Sequence, residues 1–133
     1  MKILVDTNVI LDVVLDRTPH AKTASRVLDR LEAGSDRGFV AWHSISNIYY
    51  LIDAPGAQVR EMLRGLLAFL KVPPTSTDAA LRATELPLKD FEDAMQVVAA
   101  EACGAELIVT RNVKDYAKSP VPALSPAEWL RSR

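Results

Sequence analysis

A single cysteine, Cys103, stands in the 133 residues. No disulfide can form within the chain, and no Cys-x-x-Cys or Cys/His spacing exists to hold zinc or run thiol redox chemistry. Set in an Ala-rich helical stretch, Cys103 reads as a small core hydrophobe. Such cysteine usage fits a reducing cytoplasm. Long hydrophobic runs are also missing: no window offers the roughly 20 uninterrupted apolar residues of a membrane span. The first apolar stretch is broken by Asp6 and Asp12, and it has neither the basic start nor the small-residue cleavage site of a secretory signal. Neither sign of charge is in excess. Sixteen Lys and Arg meet seventeen Asp and Glu, so no global field draws the chain to nucleic acid or an anionic membrane. Any RNA contact must come from local basic residues. No glycine-rich loop follows either clear strand, which argues against a dinucleotide-binding or P-loop cradle. A soluble, cytoplasmic protein without membrane association is expected.

What is present is apolar surface. With 49% hydrophobic residues, the chain can bury a sizeable core as one domain over residues 1–133. Ile3 to Val5 is a continuous apolar run of strand length, as a strand covered on both faces requires. Val9, Ile10, Val13 and Val14 then follow helical spacing, with Thr7 or Asn8 able to cap the start. A second helix runs from about Pro19 to Ala33 and stops at Gly34. "GFVAW" reads as a short strand, "SISNIYYLID" and "PGAQVREMLRGLLAFL" as helices, and "KVPPTS" as at most a brief edge strand because proline cannot donate to a ladder. Thr77 is the expected cap of "TDAALRATEL", and Asp90 of "FEDAMQVVAAEACG", which ends at Gly104. "ELIVT" is the second clear central strand, and Ser125 with Pro126 opens a closing helix. Strands alternating with helices imply a parallel sheet with helices on both faces.

In such sheets, ligand sites form beyond the carboxyl ends of the strands. Asp6 stands there after the first strand, and Thr110, Asn112 and Asp115 stand there after "ELIVT". Asp93, in the first turn of an apolar helix, shares a helical line with Val97 and Ala100, which face protein interior. Carboxylates converging on one spot repel unless a cation sits among them. Magnesium takes oxygen ligands, keeps waters and is typically held by one or two carboxylates with substrate phosphates, so the pattern points to metal-assisted phosphodiester chemistry. Each acid also has a plainer explanation. Asp93 can be an acid favoured by the helix dipole, Asp6 the start of a turn, and Asp115 a solvated loop residue. Asp12, Asp16 and Glu92 read as surface or capping charges, His20 and His43 as isolated structural or solvated histidines, and Tyr49 and Tyr50 as packing residues.

Taken together, "VDTNVILD", "SISNIYYLI", "DFEDAMQVVAA" and "IVTRNVKDY" resemble in order and spacing the PIN domain, the fold of many metal-dependent ribonucleases, including the VapC toxins of bacterial toxin-antitoxin pairs. The resemblance spans about residues 3 to 116 and implies a three-layer α/β/α fold with a central parallel sheet of about four to five strands. It further implies that Asp6, Asp93 and Asp115 are catalytic, metal-binding carboxylates and that Asn112 lies with them. Thr110 would orient the pocket through its hydroxyl, and Ser44 would help fix the middle helix. One departure stands out: family members usually carry a glutamate three residues after the Ser44-like position, where this chain has Asn47. Asparagine brings hydrogen bonds but no charge. The chain is similar in this to PIN subgroups with Asn at that place.

The expected function is therefore that of an endoribonuclease using Mg²⁺ or Mn²⁺ to hydrolyse RNA phosphodiesters, as the toxin of a toxin-antitoxin pair. Its expected partners are RNA, a small antitoxin and a second copy of the chain, with the Tyr49 region or the "MLRGLLAFL" helix as dimer surface. Arg17, Lys22, Arg26, Arg111 and Lys114 are the basic residues placed to hold RNA phosphates. One rival is an RNA-binding or assembly module of the same fold that has lost full metal binding, as Asn47 would suggest. A phosphatase with an aspartyl nucleophile at Asp6 is disfavoured, because it calls for a second acid where Asn8 stands.

Overall fold

A computed structural model describes all residues, 1–133. In chain order the elements are β1 (Lys2–Val5), α1 (Thr7–Val14), α2 (Ala21–Ala33), β2 (Arg37–Phe39), α3 (Trp42–Leu51), α4 (Gly56–Leu67), β3 (Leu70–Lys71), α5 (Thr77–Glu85), α6 (Phe91–Cys103), β4 (Leu107–Val109), a 3₁₀ turn (Val113–Tyr116), β5 (Ala123–Leu124) and α7 (Pro126–Arg131). All strand pairs are parallel and the sheet order is β3-β2-β1-β4-β5. The expected three-layer parallel fold is thus present, with five strands. No helix is long and apolar enough to cross a membrane.

The central strand β1 divides the core by its alternation. Ile3 and Val5 pack with Val9, Ile10, Val27, Leu31, Ile48, Val59 and Leu63, beneath α1 to α4 and α7. Leu4 points the other way, into Ala94, Val97, Ala100, Ile108 and Tyr116 beneath α5 and α6. A strand wet on neither face needs apolar residues at every position, which is why Ile3 to Val5 shows no polar break. The break comes at Asp6, where the strand leaves the sheet: its N–H still donates to Val109 O at 3.0 Å, so the ladder fixes the backbone beneath the carboxylate.

Local chemistry differs from the sequence reading at several points. Asp6, not Thr7 or Asn8, is the residue before α1, and its side chain makes no capping bond. Ser76 caps α5 by accepting from Ala79 N–H at 3.1 Å, so Thr77 is the first helical residue. Asp90 caps α6 as expected, accepting from Glu92 N–H at 2.8 Å, and Gly104 ends it in the left-handed conformation. Ser125 and Glu128 cap each other's backbone at the start of α7. The edge strand β5 lies in a segment that proline obscured. Cys103, expected in the core, is half-buried at the end of α6.

Asp12 is the main surprise. It is a buried residue rather than a surface charge. Arg111, after β4, grips it with Nε to Oδ2 at 2.6 Å and Nη2 to Oδ1 at 3.2 Å, and Arg17 lies 3.7 Å away. This paired charge ties α1 to the loop that follows β4. Removing one member of a buried pair strands the other. Asp12→Ala is therefore expected to lower the free energy of unfolding by about 3 kcal/mol, read from urea denaturation. A loss below about 1 kcal/mol would mean that the pair is exposed enough to be dispensable.

Candidate active site

The carboxyl ends of β1 and β4 meet at Asp6, which is 5% exposed. Burial costs an ionised carboxylate several hydrogen bonds to water, and protein donors replace them. Oδ2 accepts from Thr110 Oγ1 at 2.7 Å and from the Tyr116 hydroxyl at 3.1 Å, while Oδ1 accepts from Gln96 Nε2 at 3.3 Å. Burial raises the Asp6 pKa, opposed by the hydrogen bonds from Thr110 and Tyr116, with the charge of Asp90 adding to the rise.

Tyr116 faces a second acid. Its hydroxyl lies 3.2 Å from Asp93 Oδ1, so one phenol oxygen spans the gap between Asp6 and Asp93. A phenol carries one hydrogen and can satisfy one carboxylate at a time. The contact to the other calls for a proton on that acid or a cation beside it. Burial first, then the charges of Asp6 and Asp90, push Asp93 up to about 6; Asp115 adds to this and the Tyr116 hydrogen bond opposes it. The same burial and the two neighbouring carboxylates push the Tyr116 phenol up, so it stays protonated as a donor.

Beneath this pair lies a buried polar wedge. Thr7 Oγ1 and Ser44 Oγ are 2.6 Å apart, and Gln96 Nε2 donates toward both, at 3.0 and 3.1 Å. Gln96 is fully buried and its Oε1 has no partner. Nearer the surface, Asn47 Nδ2 donates to Glu92 Oε1 at 3.3 Å. Burial, then Asp6 and Asp90, raise the Glu92 pKa, and the bond from Asn47 opposes them.

Asp93 lines a cleft of about 390 Å³ together with Asp90 and Asp115 and with Lys89, Lys114 and Lys118, while Asp6 lies buried behind Tyr116. Asp6, Asp93 and Asp115, far apart in sequence, are thus brought to one end of the sheet. Asp115 is exposed on the 3₁₀ turn. Asn112 is exposed, and its backbone N–H donates to Thr110 Oγ1 at 3.1 Å. Of the basic residues singled out by sequence, Lys114 lines the cleft, whereas Arg111 and Arg17 are turned to Asp12. Lys22 and Arg26 lie exposed on α2. His20 is exposed, and His43 sits in an apolar groove between α3, α5 and α6, where burial lowers its pKa.

Tyr116, Gln96, Lys89 and Lys118 were missed by sequence reasoning. For Gln96 the signal was available: a lone polar residue inside "AMQVVAA" must find partners. The carboxylate oxygens are the hard donors that Mg²⁺ and Mn²⁺ take, and magnesium usually fills its remaining positions with water. No three His, Cys, Asp or Glu side chains come close enough to coordinate one ion by themselves. The donor set therefore suits a hydrated ion more than a closed cage.

Residues 2–114 match the family model of the PIN domain. The chain belongs to the PIN domain family. Solved structures extend the likeness over nearly the whole PIN chain. VapBC2 of Rickettsia felis, bound to a promoter DNA fragment, is 18% identical with a TM-score of 0.72, covering 94% of this chain and 98% of that one. VapBC-1 of nontypeable Haemophilus influenzae is 14% identical with a TM-score of 0.71, covering 96% and 99%. A toxin-antitoxin complex of Klebsiella pneumoniae is 24% identical with a TM-score of 0.68, covering 92% and 96%. At these identities the shared property is the PIN fold. No curated protein matches the sequence closely.

The Asp93 shift has a consequence for stability. Its folded value is about 6 against an ordinary 3.8, so between these the unfolded chain releases a proton that the folded chain keeps. The folded state then binds more protons, and stability falls as pH rises. This contribution is fully present below about pH 4 and lost above about pH 6. In EDTA, Asp93→Asn should raise stability over the parent by about 1 kcal/mol at about pH 7, after allowance for solvent screening, and leave it unchanged near pH 4. Thermal melts across this range check it, and a parent as stable as the variant at the higher pH would refute the crowding of charge.

Proposed function

We propose that this PIN domain protein is a metal-dependent endoribonuclease and the toxin of a toxin-antitoxin pair. The observation that carries the reading is the Tyr116 hydroxyl held between Asp6 and Asp93 at the carboxyl end of β1. Asp6 and Asp93, with Asp115 at the cleft wall and Asn112 nearby, are the groups we assign to hold Mg²⁺ or Mn²⁺. When bound, such an ion lowers the pKa of a coordinated water and neutralises charge at the scissile phosphate.

The chain's own residues supply position and field. Thr110, Tyr116 and Gln96 fix the rotamer of Asp6, and the Thr7, Ser44 and Gln96 wedge keeps that floor rigid. The carboxylates repel RNA while the site lacks a cation, and Lys89, Lys114 and Lys118 around the cleft attract its phosphates. Single-stranded or looped RNA suits so narrow an acidic site better than a paired duplex. No side-chain nucleophile is required.

A partner protein fits the remaining surface. The surface around α3 exposes Trp42, Tyr50 and Leu51 at 64%, 80% and 57%, large apolar side chains of the kind found at protein contacts. We assign it to an antitoxin or a second copy. The toxin-antitoxin complexes among the structural neighbours support an antitoxin.

Labelled single-stranded RNA incubated with the purified protein tests the activity. Cleavage should require Mn²⁺ or Mg²⁺, stop in EDTA and fall at least about 100-fold in Asp6→Asn and Asp93→Asn. RNA binding that ignores EDTA, with no cleavage under any condition, would replace the nuclease with a binding module, the reading that Asn47 favours.

A further inference from the structure

We infer that a polar cavity between α1, α2 and α7, lined by His20, Thr23 and Arg111, holds a backbone phosphate of the RNA strand beside the one being cut. The inference rests on the RNA reading above and deepens it by giving the strand a second point of attachment, one that needs no metal. The cavity measures about 310 Å³, and Asp12, His20, Thr23, Arg111 and Ser125 line it with two prolines and an alanine. It shares no residue with the cleft that carries the three lysines.

Its place in the fold follows from β1 and β4. Arg111 comes directly after Thr110, whose hydroxyl holds Asp6, and the Arg111 N–H lies 3.5 Å from Asn8 Oδ1. Asn8 is itself two residues beyond Asp6. The cavity therefore flanks Asp6 on the side of α1, α2 and α7, whereas the cleft flanks it on the side of α6 and the 3₁₀ turn. A strand with one phosphate at the acids continues past them in both directions, and each flank receives one of its neighbours.

Charge and donors in the cavity suit a phosphate. Asp12 is the one acid of the lining, and its buried carboxylate is already engaged: Arg111 holds both oxygens, and Arg17 stands 3.7 Å from Oδ1. Two guanidiniums against one carboxylate leave positive charge in excess. Arg111 serves the scaffold through Nε and Nη2, so its charge stays at a fixed place and needs no ordering when a ligand arrives, and its Nη1 meets no protein acceptor. The His20 ring and the Thr23 hydroxyl make no hydrogen bond to the protein, and Ser125 Oγ, which accepts from Glu128 N–H, keeps its own hydrogen free. Such groups donate to phosphate oxygens. No Trp, Tyr or Phe lines the cavity, so a base has no ring to stack on. The contact is with the backbone and carries no sequence preference.

Fluorescence anisotropy of labelled single-stranded RNA on the whole protein in EDTA, at several salt concentrations, tests this apart from metal and cleavage. Thr23→Glu, which sets a carboxylate in the cavity, should weaken binding about tenfold at low salt and make log affinity against log salt shallower by about 0.7. His20→Ala should weaken it about threefold. Gln58→Glu, the same change of charge on the exposed side of α4, should alter it less than about twofold, and all three variants should keep the parent's circular dichroism spectrum. Inorganic phosphate in EDTA should shift the amide resonances of His20, Thr23 and Arg111 in the parent and leave them in place in Thr23→Glu. If Thr23→Glu and His20→Ala bind RNA like the parent at every salt concentration, the inference is overturned, whatever Mn²⁺ does to cleavage. Phosphate shifts without any effect of the variants on RNA would overturn it too, by assigning the cavity to a free phosphate. Weakened binding in Thr23→Glu, with no cleavage by the parent under any condition, would sink the nuclease and uphold this contact.

Discussion

One hydroxyl between two carboxylates sets the terms for this site. Tyr116 contacts Asp6 and Asp93 at 3.1 and 3.2 Å, yet its single hydrogen can serve only one of them. The protein has thus gathered more negative charge than its donors satisfy, with Asp6 buried and Asp93 half-buried at a place fixed by the sheet. In water such charges would move apart or protonate. Here β1 holds Asp6, the first turn of α6 holds Asp93, and the 3₁₀ turn holds the phenol, so the strain stays in the electrostatics. Asp93 answers by titrating near 6, and a divalent ion would relieve the same excess without a proton.

The fold is arranged so that this excess cannot leak away. The N–H of Asp6 is pinned to β4 and its oxygens to Thr110, Tyr116 and Gln96. Thr110 follows β4, whose own neighbour β5 accepts the Thr110 N–H through Leu124 O at 2.9 Å. The Asp12 pair with Arg111 braces the same loop from below. Thr110, Tyr116 and Arg111 spend their donors on the carboxylates they brace, while the buried Gln96 Oε1 is left without a donor. Arg111, which sequence alone places on RNA, is instead part of this scaffold.

Much of the frame was legible because burial on both faces leaves continuous apolar strands, and because caps are local chemistry. Ile3 to Val5, the Asp90 and Ser125 caps and Gly104 follow from neighbours within four residues. The stop of β1 at Asp6 and the line from Asp93 to Ala100 placed two acids at one sheet end. Other features depend on distant partners that a sequence does not display. Asp12 looks like a surface acid until Arg111 reaches it, and Tyr116 looks like a core aromatic until its hydroxyl meets Asp6. Ser76 and Thr77 are both able to cap, and only the entry path of the chain decides between them. Glu92 is an exposed charge in the first turn of α6, as its sequence position suggests, but its contact with Asn47 crosses between helices and could not be read from its neighbours.

A crystal of the protein soaked in Mn²⁺ and recorded at a wavelength giving manganese anomalous scattering tests the central claim most directly. The expected result is a peak at the carboxyl end of β1 with oxygens of Asp6 and Asp93 within about 2.3 Å, and Tyr116 released from one of the two acids. No peak there, with the phenol still lodged between both carboxylates, would contradict it.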